Sequence, residues 1–162
     1  MRLSALSRAV AAILACFAVL AGCSGESDPP TFDESTRQLV SDGDALMSLI
    51  ESDLTGLTKE RADQDRTTSC STGQSQRYFV AKGNFADPAR QDPLSRIALL
   101  KGKLDTMGYR EVVDELDLSE DDLGVTVVVN DKAKLTFVLL GRLSDTPNLV
   151  IVGKTECYPR NG

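Results

Sequence analysis

Four cysteines and one crowd of carboxylates are the residues of this 162-residue chain whose types and spacing could do chemistry: Cys16, Cys23, Cys70, Cys157, and the acidic side chains of DELDLSEDDLG. Six of the nine residues from Asp114 to Asp122 are acidic, which invites a calcium loop or a glycosidase carboxylate pair. As an EF-hand loop starting at Asp117, the segment puts Asp122 where glycine is needed for the sharp turn, and Val128 where a bidentate glutamate is needed. The template fails, and a solvated turn is the expectation. The chain has no histidine. That removes the usual general base and with it every Ser-His-Asp and Cys-His arrangement. Neither a Gly-x-Ser-x-Gly elbow nor a Ser-x-x-Lys pair nor a phosphate-cradling glycine loop is present. With no tryptophan and 5% aromatic residues, a sugar-stacking cleft is not expected either. The expectation is therefore a chain that is not an enzyme, with no catalytic residues, no metal and no cofactor.

Cys23 stands where an apolar stretch gives way to polar sequence. Arg2 and Arg8 flank the start of an apolar run from Ala9 to Ala21. This is too short to span a bilayer, which takes about 20 apolar residues, but it is laid out as a signal peptide. Ordinary cleavage does not explain the cysteine. The tetrapeptide Leu20-Ala21-Gly22-Cys23 resembles the bacterial lipobox at every position. That resemblance implies a thioether-linked diacylglycerol on Cys23 and cleavage ahead of it, since the thiolate is the nucleophile that takes the lipid. Two or more acyl chains give stable anchoring where one would be marginal. The expected address is the cell membrane, lipid-anchored, facing outside the cytoplasm, with residues 1–22 as signal peptide. Cys16 would leave with it.

Without residues 1–22 the charge moves from −6 to −8, from 16 basic and 24 acidic side chains. An acidic domain is not drawn electrostatically to nucleic acid or to an anionic lipid surface. Residues 23–31 carry the lipidated cysteine and a short, proline-bearing linker, SGESDPPT, whose reach of at most about 3.5 Å per residue keeps the domain within roughly 30 Å of the bilayer. Cys70 and Cys157 remain, one pair with one connectivity. Export places them in an oxidising compartment, so a Cys70–Cys157 disulfide is expected. Closing 87 residues of chain removes unfolded-state entropy equivalent to about 4 kcal/mol. It would also make the first and last strands neighbours. A metal site or a redox thiol pair fits poorly, because the two cysteines do not form Cys-x-x-Cys and zinc needs two further ligands.

Residues 32–162 are expected to form a single α+β domain. Thr31-Phe32-Asp33-Glu34 has capping-box spacing and should start a helix. Leu39, Leu46, Ile50 and Leu57, with Val40, Met47 and Leu54 beside them, continue an apolar stripe along it, interrupted by Gly43. KERADQDRTTS (59–69) extends that helix in solvent or forms a loop. Residues 77–82 read as a strand, and Asp92-Pro93 as the cap and first turn of a second helix carrying Leu94, Ile97, Leu100, Leu104 and Met107 up to Gly108. Further strands follow at 111–118, 124–130, 134–140 and 148–153, with a turn at Asn130-Asp131. The order predicts an antiparallel sheet of four to five strands with both helices on one face. The second sheet face is not wholly polar: Val125, Val127 and Val129 share one side of their strand, and Val138 and Leu140 lie opposite Leu135, Phe137 and Leu139. That residual apolarity could be a dimer contact, a ligand surface or an ordinary Thr/Val strand face.

Taken together, the alanine-rich signal, Leu-Ala-Gly-Cys, the short linker, the opening helix, a cysteine before the first strand and a last strand ending in cysteine resemble the small actinobacterial lipoproteins of the LppA-like type. The resemblance runs through residues 31–159 in element order, and only the lipobox is a specific motif. It implies no established activity. Two functions compete. The first is a non-catalytic binding or accessory module of the cell envelope, recognising an envelope protein or lipid partner through the exposed sheet face or loops. The second is a carrier of a small apolar ligand or lipid, for which an enclosed apolar cavity is required.

Overall fold

The computed structural model describes residues 28–61, 70–112 and 122–159. The signal segment, Cys23, and the expected strand and acidic turn from 113 to 121 lie outside the described residues. Helix α1 (Phe32–Met47) begins where the capping box places it: the Thr31 hydroxyl accepts from the Glu34 amide, and the Glu34 carboxylate accepts from the Thr31 amide at 2.8 Å. It ends ten residues earlier than its apolar stripe suggests. After a turn and a single 3₁₀ turn (Glu51–Asp53), strand β1 (Leu54–Arg61) takes over. Ile50 is buried from the turn, and Leu54 and Leu57 pack on the core from a strand.

Strand β2 (Gln74–Ser75) precedes β3 (Tyr78–Phe85), a short helix α2 (Pro88–Gln91) and helix α3 (Pro93–Thr106). Asp92 caps α3 by accepting from the Leu94 amide, Pro93 opens it, and Gly108 at φ +85° follows its end. Then come β4 (Arg110–Glu111), β5 (Leu123–Asn130), β6 (Leu135–Arg142), β7 (Leu149–Thr155) and β8 (Tyr158–Pro159). In the β5–β6 turn the Asn130 side chain accepts from the Ala133 amide at 3.0 Å.

The architecture is α+β. Its main sheet has six antiparallel strands in the order β1-β3-β7-β6-β5-β4, with β2 and β8 forming a second, two-stranded sheet, so the expected four to five strands are too few. The shortfall has a local cause: β1 is hidden inside a helix-period stripe, and β2 and β8, two residues each, form the second sheet. The tertiary requirement wins at β1, because without it β3 would have a bare edge. Cys70 and Cys157 are joined, with Cα atoms 5.8 Å apart across 87 positions. The strands they bracket, β3 and β7, are neighbours, paired from Tyr78↔Lys154 to Gly83↔Leu149.

Helix α1 lies over β7 and β3, and α3 over β6 and β5, on the same face of the sheet. The core is the layer between: Leu39, Leu46 and Met47 from α1, Leu100 and Leu104 from α3, and Phe79, Phe137, Leu139 and Ile151 from the strands, all fully buried. The helices rest directly on the sheet. A Cβ on Gly43 would sit 2.6 Å from the Phe79 ring, and one on Gly141 would sit 2.9 Å from the Pro93 carbonyl oxygen at the start of α3. Glycine at these two positions is what lets the layers close to this distance.

Candidate functional site

Because strand side chains alternate, a sheet with helices on one face turns every second residue away from them. The burial pattern of β6 and β7 alternates strictly: Leu135, Phe137, Leu139, Leu149 and Ile151 point into the core, while Thr136, Val138, Leu140, Val150 and Val152 are half-buried on the other side. Register aligns the outward residues into rows across strands. Val127, Val138, Val152 and Val80 form one row through β5, β6, β7 and β3. Val125, Leu140, Val150 and Lys82 form the next, with Thr58 of β1 beyond. Val129, Thr136, Lys154 and Tyr78 form the row on the other side. Neither α1 nor α3 touches this face. The valines that the sequence places together on β5 thus lie on the side of the sheet left open among the described residues.

A second feature is a cleft of about 790 Å³ at one end of the molecule, between the first half of α1 (Glu34, Ser35, Gln38), the end of α3 (Thr106 to Gly108) and the β5–β6 turn (Asn130 to Ala133). Three of its charged groups are engaged. Arg110 donates to both Asp131 oxygens, at 2.9 and 3.3 Å, which holds the Asp131 carboxyl below and the Arg110 guanidinium above their ordinary values. Glu34 is committed to the helix cap, whose hydrogen bonds lower its pKa. Ser35 donates to the Ala133 carbonyl at 2.9 Å, with the Tyr158 hydroxyl 2.7 Å away. A nucleophilic hydroxyl needs a base to receive its proton; here the proton is held by a carbonyl.

Behind this cleft lies an acid that the sequence reading overlooked. Asp42 is 2% exposed, with Gln38 donating to Oδ1 and Tyr109 to Oδ2, each at 2.7 Å. Desolvation raises its pKa, and the two hydrogen bonds oppose the rise. The Tyr109 hydroxyl is pushed up by burial and by that carboxylate. Both carboxylate oxygens are occupied, so the pair ties α1 to the chain entering β4. A signal existed: Asp42 interrupts the stripe of Leu39 and Leu46 on the inner face of α1.

Among the described residues no three His, Cys, Asp or Glu side chains converge as a metal site, and no helix is long and apolar enough to cross a membrane. Of the acidic segment only Asp122 is described, receiving a hydrogen bond from the Ser144 hydroxyl at 2.7 Å. The disulfide sits beside β2 and β8, where Gln76 donates to the Thr155 carbonyl at 2.6 Å and the Phe32 ring of α1 packs 5.3 Å from that of Tyr158. The disulfide fastens the chain after β7 to the segment ahead of β2, and the Phe32–Tyr158 contact sets β8 against the start of α1. Compared with known protein families, with curated proteins and with solved structures, the chain matches none.

Proposed function

We propose that this chain is a membrane-anchored extracytoplasmic lipoprotein, tethered through a diacylglycerol on Cys23, whose folded domain is a non-catalytic binding or accessory module of the cell envelope. The address rests on Leu20-Ala21-Gly22-Cys23 and on the apolar run before it. The likeness to LppA-like lipoproteins in element order agrees with it. A binding role rests on one observation: the sheet is covered by helices on one face and presents rows of valine and leucine on the other. Apolar rows that contribute nothing to the domain's own core call for a second surface to cover them.

The carrier alternative requires sheet and helices to part around a ligand. Their contact at Gly43–Phe79 and Gly141–Pro93 is too close for that without rebuilding the core, which favours the binding module. The commitment of the Ser35 proton to a carbonyl favours a non-catalytic domain.

The test is metabolic labelling with an alkyne-bearing palmitate, followed by fractionation and native electrophoresis in mild detergent. The wild-type chain should carry the label, sediment with membranes and migrate as an assembly larger than itself. The C23S variant should lose label and membrane association. An unlabelled wild-type chain would refute the anchor, and a bare wild-type chain in the native gel would refute the binding role.

A further inference from the structure

The open sheet face has a charge as well as a hydropathy. On β3, β5, β6 and β7 its outward positions carry no carboxylate, although the chain as a whole has 24 acidic against 18 basic residues. They do carry Lys82 at one end of the valine rows, Lys154 at the other, and Arg142 beyond Leu140. Elsewhere several cations are paired, Lys59 with Glu51, Arg96 with Asp53, Lys101 with Asp105, Arg110 with Asp131 and Lys134 with Glu156, while Arg37, Lys103 and Lys132 make no ion pair among the described residues. Lys82 and Lys154 have no such partner among the described residues. Arg142 shares a polar hollow with Asp122 and Asp145, so the unpaired positive charge of this face is that of the two lysines.

We infer that this face docks a protein partner whose contact surface is an apolar stripe flanked by carboxylates, the carboxylates pairing with Lys82 and Lys154 and the stripe covering Val127, Val138, Val152 and Val80. The inference rests on the binding-module reading and names its surface and partner chemistry. Five strands about 4.8 Å apart and about 26 Å long present roughly 600 Å². That approaches the roughly 800 Å² per partner of a standard interface, enough for a specific contact. Two other occupants fit less well. A second copy would bring the same two lysines to the contact, like charge against like. An anionic bilayer favours protruding aromatic and leucine side chains, whereas these valines are half-buried in a flat sheet. The exposed large apolar side chains, Leu49, Leu99 and Leu143, lie singly and off these rows.

The experiment places a photo-crosslinking phenylalanine analogue at Val138 or Val152, and for comparison at Gln38 in the end cleft, in the full chain expressed in its own cells. The crosslinked peptide is then identified by mass spectrometry. Thermal melts of the purified variants establish that each folds. The expected result is a crosslink from Val138 and Val152 to one protein, at a peptide mixing apolar and acidic residues. The yield should fall at least fivefold in K82E/K154E. A crosslink to lipid, to a second copy of the chain, or to a peptide without acidic residues overturns the inference, as does a yield indifferent to the charge reversal. Crosslinks from Gln38 alone overturn the inference and leave the binding-module reading standing. No crosslink from any of the three positions overturns both.

Discussion

The Tyr109 hydroxyl donates to Asp42 Oδ2 at 2.7 Å inside the layer between α1 and the sheet. Both residues are nearly inaccessible, and the charge faces no cation among its hydrogen-bond partners, Gln38 and Tyr109. Burial therefore raises the Asp42 pKa above its ordinary value of 3.8. A carboxyl whose folded pKa lies above its unfolded one binds protons more readily when folded. Its contribution to stability is full below the unfolded value and is lost as pH rises through the folded one.

The D42N variant should then differ from wild type in a pH-dependent way. The introduced amide can keep both contacts, because it can donate to a Tyr109 hydroxyl that turns to accept. On acidification from pH 7 toward about 3.8, the wild type should gain unfolding free energy relative to D42N. Urea titrations at a series of pH values measure it. A difference that stays constant, or moves the other way, would contradict a raised Asp42 pKa.

Gly43 sits under the Phe79 ring with no room for a methyl group. Alanine is the better helix former by about 1 kcal/mol, yet overpacking costs about 1–3 kcal/mol, so G43A should destabilise the domain. F79L should relieve part of that cost, and the double-mutant cycle should return a coupling of at least about 0.5 kcal/mol. Additive effects would mean that the two residues do not touch.

The cysteine pair closes an 87-residue loop and joins the chain after β7 to the segment ahead of β2. C70S/C157S should lose about 4 kcal/mol of unfolding free energy in denaturant titration. A loss under about 1 kcal/mol would mean that the bond adds little to the fold.

Neighbouring residues on β7 separate the two faces. Ile151 is fully buried under α1, so I151A should cost about 2–5 kcal/mol. Val152 points to the open side, and V152T should change stability by under about 1 kcal/mol. Equal costs in thermal or chemical melts would mean that the second face is also core.

How much of this was legible in the sequence depended on whether local pattern and tertiary demand agreed. They agreed at Thr31 to Glu34, at Asp92-Pro93 and along the alternating strands β5 to β7. They disagreed at Leu54 and Leu57, where helical spacing continued by coincidence and the edge of β3 recruited the segment as a strand. The two-residue strands depend on contacts far away in sequence, such as Gln74↔Pro159, and left no periodic trace. The valines of the open face were visible as a pattern. Their outward direction was not, because it follows from where α1 and α3 land. Lys82 and Lys154 gained meaning only once β3 and β7 were neighbours.

The most direct test of an open face that works as a docking surface is amine labelling with a membrane-impermeant reagent, on intact cells and on the purified full chain. Lys103 and Lys132, away from the face, serve as references. In cells, Lys82 and Lys154 should react several-fold more slowly than in the purified protein, while Lys103 and Lys132 react alike in both. Equal reactivity of Lys82 and Lys154 in the two settings would contradict the account.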